Sequence, residues 1–281
     1  MKRLLLCTDL DRTLLPNGSA PESAGARKVF AWLISHPQVS LVYVTGRDPA
    51  LVDEALATWA VPEPDLLIAN VGTTIARRVG DRWDSWLHWE DTIGRDWGGR
   101  STEDLKGLLS GLSGLAPQEG SRQAAFKLSY YTPPGTAGTA LAQEARQRLT
   151  AAGVKANVIW SVDDSTGSGL LDVLPSSATK RLAIEFVMAR WRYERNEVVF
   201  AGDSGNDQDV LVSPIPAVLV ANASGELRSE LQDLAKARRW SKTLYCARGD
   251  VLDMNGNYAA GILEGVLHYH PEWAPWLKER T

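Results

Sequence analysis

Residues 4–15 read Leu-Leu-Leu-Cys-Thr-Asp-Leu-Asp-Arg-Thr-Leu-Leu, and this stretch limits the fold more than any other. A continuous apolar run of this kind is a strand buried on both faces. It delivers Asp9 and Asp11, separated by one residue, just where the strand gives out. Carboxylates so placed repel each other and lose hydration, so a cation or a chemical task has to hold them there.

The rest of the chain repeats the alternation that such a strand needs. A helical pattern with Val29, Phe30 and Leu33 on one side follows at about residues 22–35, then an apolar, β-branched run at 39–45. Asp48 and Pro49 supply N-cap and N1 for a helix carrying Leu51, Val52, Ala55, Leu56 and Trp59, and a third apolar strand follows at 66–69. Strands alternating with helices predict right-handed βαβ units and a parallel sheet. Ligands of such sheets bind beyond the carboxyl ends of the strands, where Asp9, Asp11 and Thr45 fall.

After Asn70 the pattern changes. Gly80-Asp81 marks a hairpin between runs 73–79 and 82–86, and Trp83, Trp86, Trp89 and Trp97 crowd the next stretch. A short helix at 105–112, an alternating strand at 125–131, a helix at 139–152 and an alternating strand at 154–160 make residues 79–168 an α+β insertion, with the loop 163–169 as return hinge. Alternation resumes with a strand at 170–174, a helix at 178–191, a strand at 197–201 and the acidic glycine loop Gly202-Asp203-Ser204-Gly205-Asn206-Asp207. The predicted fold is therefore α/β, a doubly wound, mostly parallel sheet with a Rossmann-like core (1–78 and 169–281) and one inserted α+β domain (79–168).

Length and charge agree with this. At 281 residues the chain has room for one large domain or two smaller ones, on a prior of roughly 150 residues each. With 30 basic and 34 acidic residues and no basic block, nucleic acid is not an expected partner. Asp9 and Asp11 interrupt the apolar start before a signal-peptide core forms, and no run approaches the roughly 18 apolar residues of a membrane span. Cys7 and Cys246 lack metal-type spacing, which fits a reducing cytoplasm. His268 and His270 have no accompanying ligand pattern, so they are expected at the surface or in packing.

Four segments bring charge or hydroxyl groups to strand ends and helix starts: Asp9 with Asp11, Thr45, Lys180, and Asp203 with Asp207. One carboxylate can attack phosphorus and a second can move the proton. Mg²⁺ suits carboxylate oxygens, while a hydroxyl and an ammonium can hold the remaining phosphate oxygens.

In this order the four segments resemble the motifs of the haloacid dehalogenase superfamily of phosphatases, over the whole chain, with the insertion placed as in the branch carrying a C2-type cap. The resemblance implies Asp9 as nucleophile, Asp11 as general acid/base, and Thr45-Gly46 and Lys180 as phosphate ligands. It implies a Mg²⁺ site of Asp9, Asp203 and the Asp11 backbone carbonyl, with Asp207 acting through water or from behind. A narrower resemblance, to the sucrose-6-phosphate phosphatase subfamily, rests on Lys127-Leu128-Ser129-Tyr130, Leu171-Asp172-Val173-Leu174-Pro175, Asn70-Val71-Gly72-Thr73 and Ala259-Ala260-Gly261-Ile262.

That subfamily implies a disaccharide phosphate such as sucrose 6-phosphate as substrate, Gln123, Lys127, Asp172 and Asn206 as substrate contacts, and a sugar-phosphate-producing glycosyltransferase as a candidate partner. The chain departs from its pattern at Arg122-Gln123, where Glu-Gln is common, in a longer 163–169 loop, and at Thr179 and Arg181, where glycines often flank the lysine. Alternatives stay open: another sugar phosphate, such as mannosylfructose, trehalose or glucosylglycerate phosphate, a phosphomutase, or a non-catalytic partner of a glycosyltransferase. Lys127 is either a solvated face or a sugar contact, Asp172 either faces the site or pairs with Lys180, and the clustered tryptophans are expected to be core more than sugar platform.

Overall fold

A computed structural model describes residues 2–162 and 166–279. The chain opens with β1 (Leu4–Thr8), α1 (Ala26–Ile34), β2 (Val39–Val44), α2 (Pro49–Trp59) and β3 (Leu66–Ala69). Every residue of β1 and β3 is buried, as a sheet covered on both faces requires. Asp48 caps α2 by accepting from the Ala50 and Leu51 amides, with Pro49 inside the first turn as the spacing predicts.

Next come β4 (Thr74–Val79), β5 (Arg82–Ser85) and α3 (Leu87–Gly94). The inserted layer consists of α4 (Thr102–Leu109), β6 (Ala116–Pro117), β7 (Leu128–Thr132), α5 (Gly138–Ala151), β8 (Ala156–Val162) and β9 (Gly169–Pro175). The chain then returns through α6 (Lys180–Trp191), β10 (Val198–Gly202), α7 (Gln208–Leu211), β11 (Ala217–Leu219), α8 (Gly225–Ala237), β12 (Leu244–Cys246), α9 (Ala259–Tyr269) and α10 (Ala274–Lys278).

Eight strands form the large sheet in the order β12-β11-β10-β1-β2-β3-β4-β5. All pairs from β12 to β3 are parallel, and β4 and β5 join antiparallel at one edge. The strand order reverses between β1 and β10, which makes their carboxyl ends the switch point where a doubly wound sheet opens a crevice.

The second sheet, β6-β7-β9-β8, is antiparallel. Leu128 and Tyr130 of β7, Val158 of β8, and Leu171 and Val173 of β9 pack with Leu105, Leu109, Ala142, Ala145 and Leu149 of α4 and α5. Period-2 alternation turns Ser129, Asn157, Ile159, Asp172 and Leu174 to the other face.

Two elements fall across the boundaries expected at residues 79 and 168. The β4–β5 hairpin extends the large sheet, and Trp89 and Ile93 of α3 bury against its core beside Ile68, Ile75 and Ile184. In the other direction, the run 170–174 reads as a returning core strand, yet it pairs with β7 and β8. A short apolar run carries no record of which sheet it joins, because pairing is decided by partners far along the chain. Of the expected hinge loop 163–169, residues 163–165 lie outside the described residues. Among the described residues no helix is long and apolar enough to cross a membrane.

Candidate active site

Asp9 leaves β1 with its amide bonded to the Ala201 carbonyl of β10 at 2.9 Å, so the acid stands at the switch point. Asp203 and Asp207 follow β10 in the acidic glycine loop. Carboxylate oxygens of Asp9, Asp203 and Asp207 all lie within 4.8 Å of one another, and all three residues are buried. Gly202 makes this approach possible, since a Cβ there would sit 2.6 Å from Asp207 Oδ2.

Lys180 enters from the other side as the first residue of α6, which Thr179 caps by accepting from the Leu182 amide. Threonine thus takes the place before the lysine with a structural role of its own. The Lys180 ammonium donates to Asp207 Oδ1 at 2.6 Å and to Asn206 Oδ1 at 2.9 Å, and lies 3.3 Å from Asp9 Oδ1. Only 1% of its surface is exposed. Burial alone would lower its pKa, but Asp207 and Asp9 raise it, so the lysine stays charged.

Gly72 wedges the neighbouring loop against this helix start. Asn70, Val71 and Gly72 all have positive φ, and a Cβ on Gly72 would lie 2.5 Å from the Thr179 carbonyl carbon. Trp89 Nε1 donates to the Gly72 carbonyl at 2.9 Å and locks the loop from behind.

The electrostatics ask for more positive charge than the described residues supply. Burial, followed by repulsion from Asp207 and Asp203, pushes Asp9 up to about 8 against the pull of Lys180. Burial and Asp207 likewise push Asp203 up to about 6, with Arg12 and Thr13 opposing. Three close, buried carboxylates face one buried ammonium, and a hard divalent cation that takes oxygen ligands matches that donor set. Asp207 is spoken for: Oδ1 faces Lys180 and Oδ2 accepts from the Asp203 and Ser204 amides at 3.2 and 3.3 Å. Asp203 is held from the other side, by Thr13 at Oδ1 and Arg12 at Oδ2, while the Asp9 carboxylate has Lys180 as its near cation.

Asp11 points away from this cluster. Arg47 Nη2 donates to its Oδ1 at 2.6 Å, Arg47 Nε to its Oδ2 at 2.8 Å, and Asn17 Nδ2 to its Oδ1 at 2.7 Å. Burial pulls its pKa upward, but the Arg47 hydrogen bonds and charge win and hold it below the usual carboxylate range. Arg47 lies within the Thr45-Gly46-Arg47 segment, yet sequence reasoning gave it no task. Its signal was an arginine two residues past a strand-end hydroxyl. Thr45 is fully buried and its Oγ1 accepts from the Arg47 amide at 3.1 Å. Beside it, Gly46 leaves space open: an added Cβ would meet only Val71, at 3.9 Å.

The expected substrate contacts divide. Asn206 is exposed beside Lys180 and lines a cleft of about 380 Å³ with Val71, Asn157, Ile159 and Leu174, so the helix-free face of the small sheet looks onto the site. Asp172 lies on that face but does not pair with Lys180; its carboxylate accepts from the Ser129 hydroxyl. Register places Asp172 opposite Ser129, which sequence alone could not show.

Gln123 has its amide occupied. Nε2 donates to the Ser129 and Gln118 carbonyls at 2.8 and 3.1 Å, and Oε1 accepts from the Ser129 amide at 2.9 Å, so the side chain acts as a strand partner for β7. It also borders a second cleft with Asp48, Asn70, Thr73 and Phe126. Lys127 has a buried stem, 8% exposed overall, and its ammonium has no hydrogen-bond or ion-pair partner among the described residues. The tryptophans are packing: Trp89 and Trp97 are buried, Trp86 meets Phe186 and Trp191, and Trp83 lies under Arg78. Both terminal histidines pack as expected, His268 stacked on Tyr245 and His270 buried beside Glu272.

Acids at the ends of two adjacent parallel strands, with a lysine brought between them from a helix start and an inserted antiparallel sheet facing the crevice, define a haloacid dehalogenase-type phosphatase with a C2-type cap. Comparison with known proteins narrows the class. The chain belongs to the sucrose-6F-phosphate phosphohydrolase family, whose model matches residues 2–270. It is 44% identical over 278 residues to a putative HAD-like hydrolase of Nitrosococcus oceani, covering 99% of this chain and 74% of the relative. It is 27% identical over 279 residues to sucrose-phosphatase 1 of Nicotiana tabacum, covering 95% of this chain and 59% of the tobacco protein's length. The structure of the sucrose-phosphatase of Synechocystis sp. PCC6803, in complex with sucrose and phosphate, aligns with a TM-score of 0.72 at 26% identity over 96% of this chain and 98% of that one. The chain is thus a phosphoric monoester hydrolase of the sugar-phosphate type.

Proposed function

We propose that the chain hydrolyses the phosphomonoester of a disaccharide phosphate, sucrose 6-phosphate foremost, with Mg²⁺ and through an aspartyl-phosphate on Asp9. The observation that carries this reading is the meeting of Asp9, Lys180 and Asp207 around one buried ammonium, next to Asp203. Asp9 and Asp203 would ligate the cation, with the Asp11 carbonyl and with Asp207 behind them. The bound cation would supply charge neutralisation for the carboxylates and for the phosphate oxygens.

The chain's own groups account for the steps. Asp9 attacks phosphorus as a carboxylate, the ester P–O bond breaks, and the departing sugar oxygen takes a proton from Asp11, which first has to leave the Arg47 fork and pick that proton up from solvent. Water then attacks the phosphoryl group, Asp11 takes its proton, and phosphate leaves with the Asp9 carboxylate restored. The Arg47-bound, ionised Asp11 is in the form required for that second step. Lys180 and Thr45-Gly46 hold phosphate oxygens while the cap face carrying Asn157, Ile159 and Asp172 limits which sugar fits.

A glycosyltransferase that makes a sugar phosphate is the reaction class that would supply such a substrate, and a reducing compartment suits Cys7 and Cys246, both free and buried. The test is phosphate release across a panel of disaccharide and monosaccharide phosphates, with magnesium and with chelator. Sucrose 6-phosphate should lead the panel and chelator should abolish release. Preference for a monosaccharide phosphate would overturn the substrate, and chelator-resistant release would overturn the metal.

A further inference from the structure

Arg12 sits at φ 56°, in the left-handed region that residues with a side chain rarely adopt. Two contacts hold it there. Its amide donates to Asn17 Oδ1 at 2.7 Å, and its carbonyl accepts from Asn222 Nδ2 at 2.6 Å, across 210 positions of sequence. Asn222 is fixed in turn, because its Oδ1 accepts from the Tyr258 amide at 2.8 Å. A backbone conformation held by a neighbouring loop residue and by a side chain 210 positions away invites the question of what it delivers.

It delivers a guanidinium to Asp203. Arg12 Nε lies 3.1 Å from Asp203 Oδ2, with the arginine side chain 58% exposed and the aspartate 5% exposed. The stem runs along Gly18, where a Cβ would come within 3.5 Å of Arg12 Cγ and Cδ. The other Asp203 oxygen, Oδ1, accepts from Thr13 Oγ1 at 3.2 Å. Both oxygens of a principal candidate metal ligand are therefore engaged, one by a solvent-side positive charge. Lys180 neutralises the trio from inside, at Asp207 and Asp9, and Arg12 does so from outside, at Asp203.

We propose that Arg12 is a cationic competitor built into the acidic loop: by occupying Asp203 Oδ2 it loosens the grip of the Asp9, Asp203 and Asp207 cluster on a divalent cation. The proposal rests on the reading of that cluster as the metal site. A cation approaching Asp203 must share the carboxylate with the guanidinium or displace it, and either course weakens binding through like-charge repulsion. Arg12 acts through Asp203, so it is a positioning residue. The position itself has no need of arginine, since asparagine and glycine adopt left-handed φ more easily.

Magnesium binding measured by titration calorimetry, with manganese paramagnetic resonance as a second probe, tests this on the full chain. Arg12→Asn should bind magnesium about five- to tenfold more tightly, the effect of removing one partly screened charge a few ångströms from a ligand. Arg12→Lys, which keeps the charge, should stay close to the wild-type dissociation constant. Equal or weaker binding by Arg12→Asn would overturn the proposal and make Arg12 a support that orients Asp203. Tight binding by both variants would overturn the role of charge. Absence of binding to wild type and variants alike would remove the metal site itself, and the proposal with it.

Discussion

Arg47 grips both oxygens of Asp11, Nη2 on Oδ1 at 2.6 Å and Nε on Oδ2 at 2.8 Å. The pair joins the end of β2 to the loop after β1 and fixes the carboxylate expected to move the proton. Arg47→Ala should leave KM nearly unchanged and lower kcat by about 10²-fold, the lower range of what a positioned general acid/base contributes. Arg47→Lys, which cannot reproduce the fork, should recover only part of it. Steady-state kinetics decide this, and an Arg47→Ala enzyme with wild-type kcat would remove Arg47 from the mechanism.

Lys180 is the buried counter-charge of two acids. Lys180→Met leaves Asp207 and Asp9 without it, which should lower stability by about 3–5 kcal/mol, the usual result of breaking a buried pair. Urea unfolding without added metal measures this. A change below about 1 kcal/mol, the level of an exposed pair, would contradict the arrangement of charges.

The raised Asp9 pKa links stability to pH. A carboxyl whose folded pKa exceeds its unfolded one contributes stability that is complete below the ordinary carboxylate range and is lost as pH rises through the folded value, here about 8. The metal-free protein should therefore lose stability from mildly acidic pH upward. Magnesium, which requires deprotonated ligands, should raise Tm more near pH 8 than near pH 6. Thermal melts with and without magnesium give the answer, and an equal shift at both pH values would count against Asp9 as a ligand.

Gln123 and Lys127 should separate by their readouts. Gln123→Ala removes two backbone contacts to Ser129 of β7 and one to the Gln118 carbonyl, and should lower cap stability by about 1–3 kcal/mol through the unsatisfied groups it leaves. Lys127→Met removes an unpartnered ammonium and should raise KM for the sugar phosphate with Tm unchanged. Proteolysis of the cap and steady-state kinetics distinguish the two, and an unchanged KM in Lys127→Met would make Lys127 a solvated residue only.

The sequence made the core legible because its signals are local. Leu4–Thr8 is apolar without interruption, Asp48-Pro49 caps α2, and the acids stand at strand ends, so order along the chain sufficed to gather Asp9, Lys180 and Asp203. What stayed hidden depends on pairing between distant segments. The β4–β5 hairpin and α3 side with the large sheet and β9 joins the small one, a division set by β4–β5 and β7–β9 pairing that local periodicity does not report. Asp172 meets Ser129 through register, and Gln123 is absorbed by the backbone of β7. Arg12 lies inside the opening run and Arg47 directly follows Thr45-Gly46, but their tasks follow from where their side chains reach.

The covalent role of Asp9 is the centre of the mechanism, and borohydride trapping during turnover tests it directly. An acyl phosphate is reduced to the alcohol, so mass spectrometry of the quenched enzyme should find homoserine at position 9, dependent on substrate and lost in Asp9→Asn together with phosphate release. Reduction at another acid, or sustained phosphate release by Asp9→Asn, would contradict it.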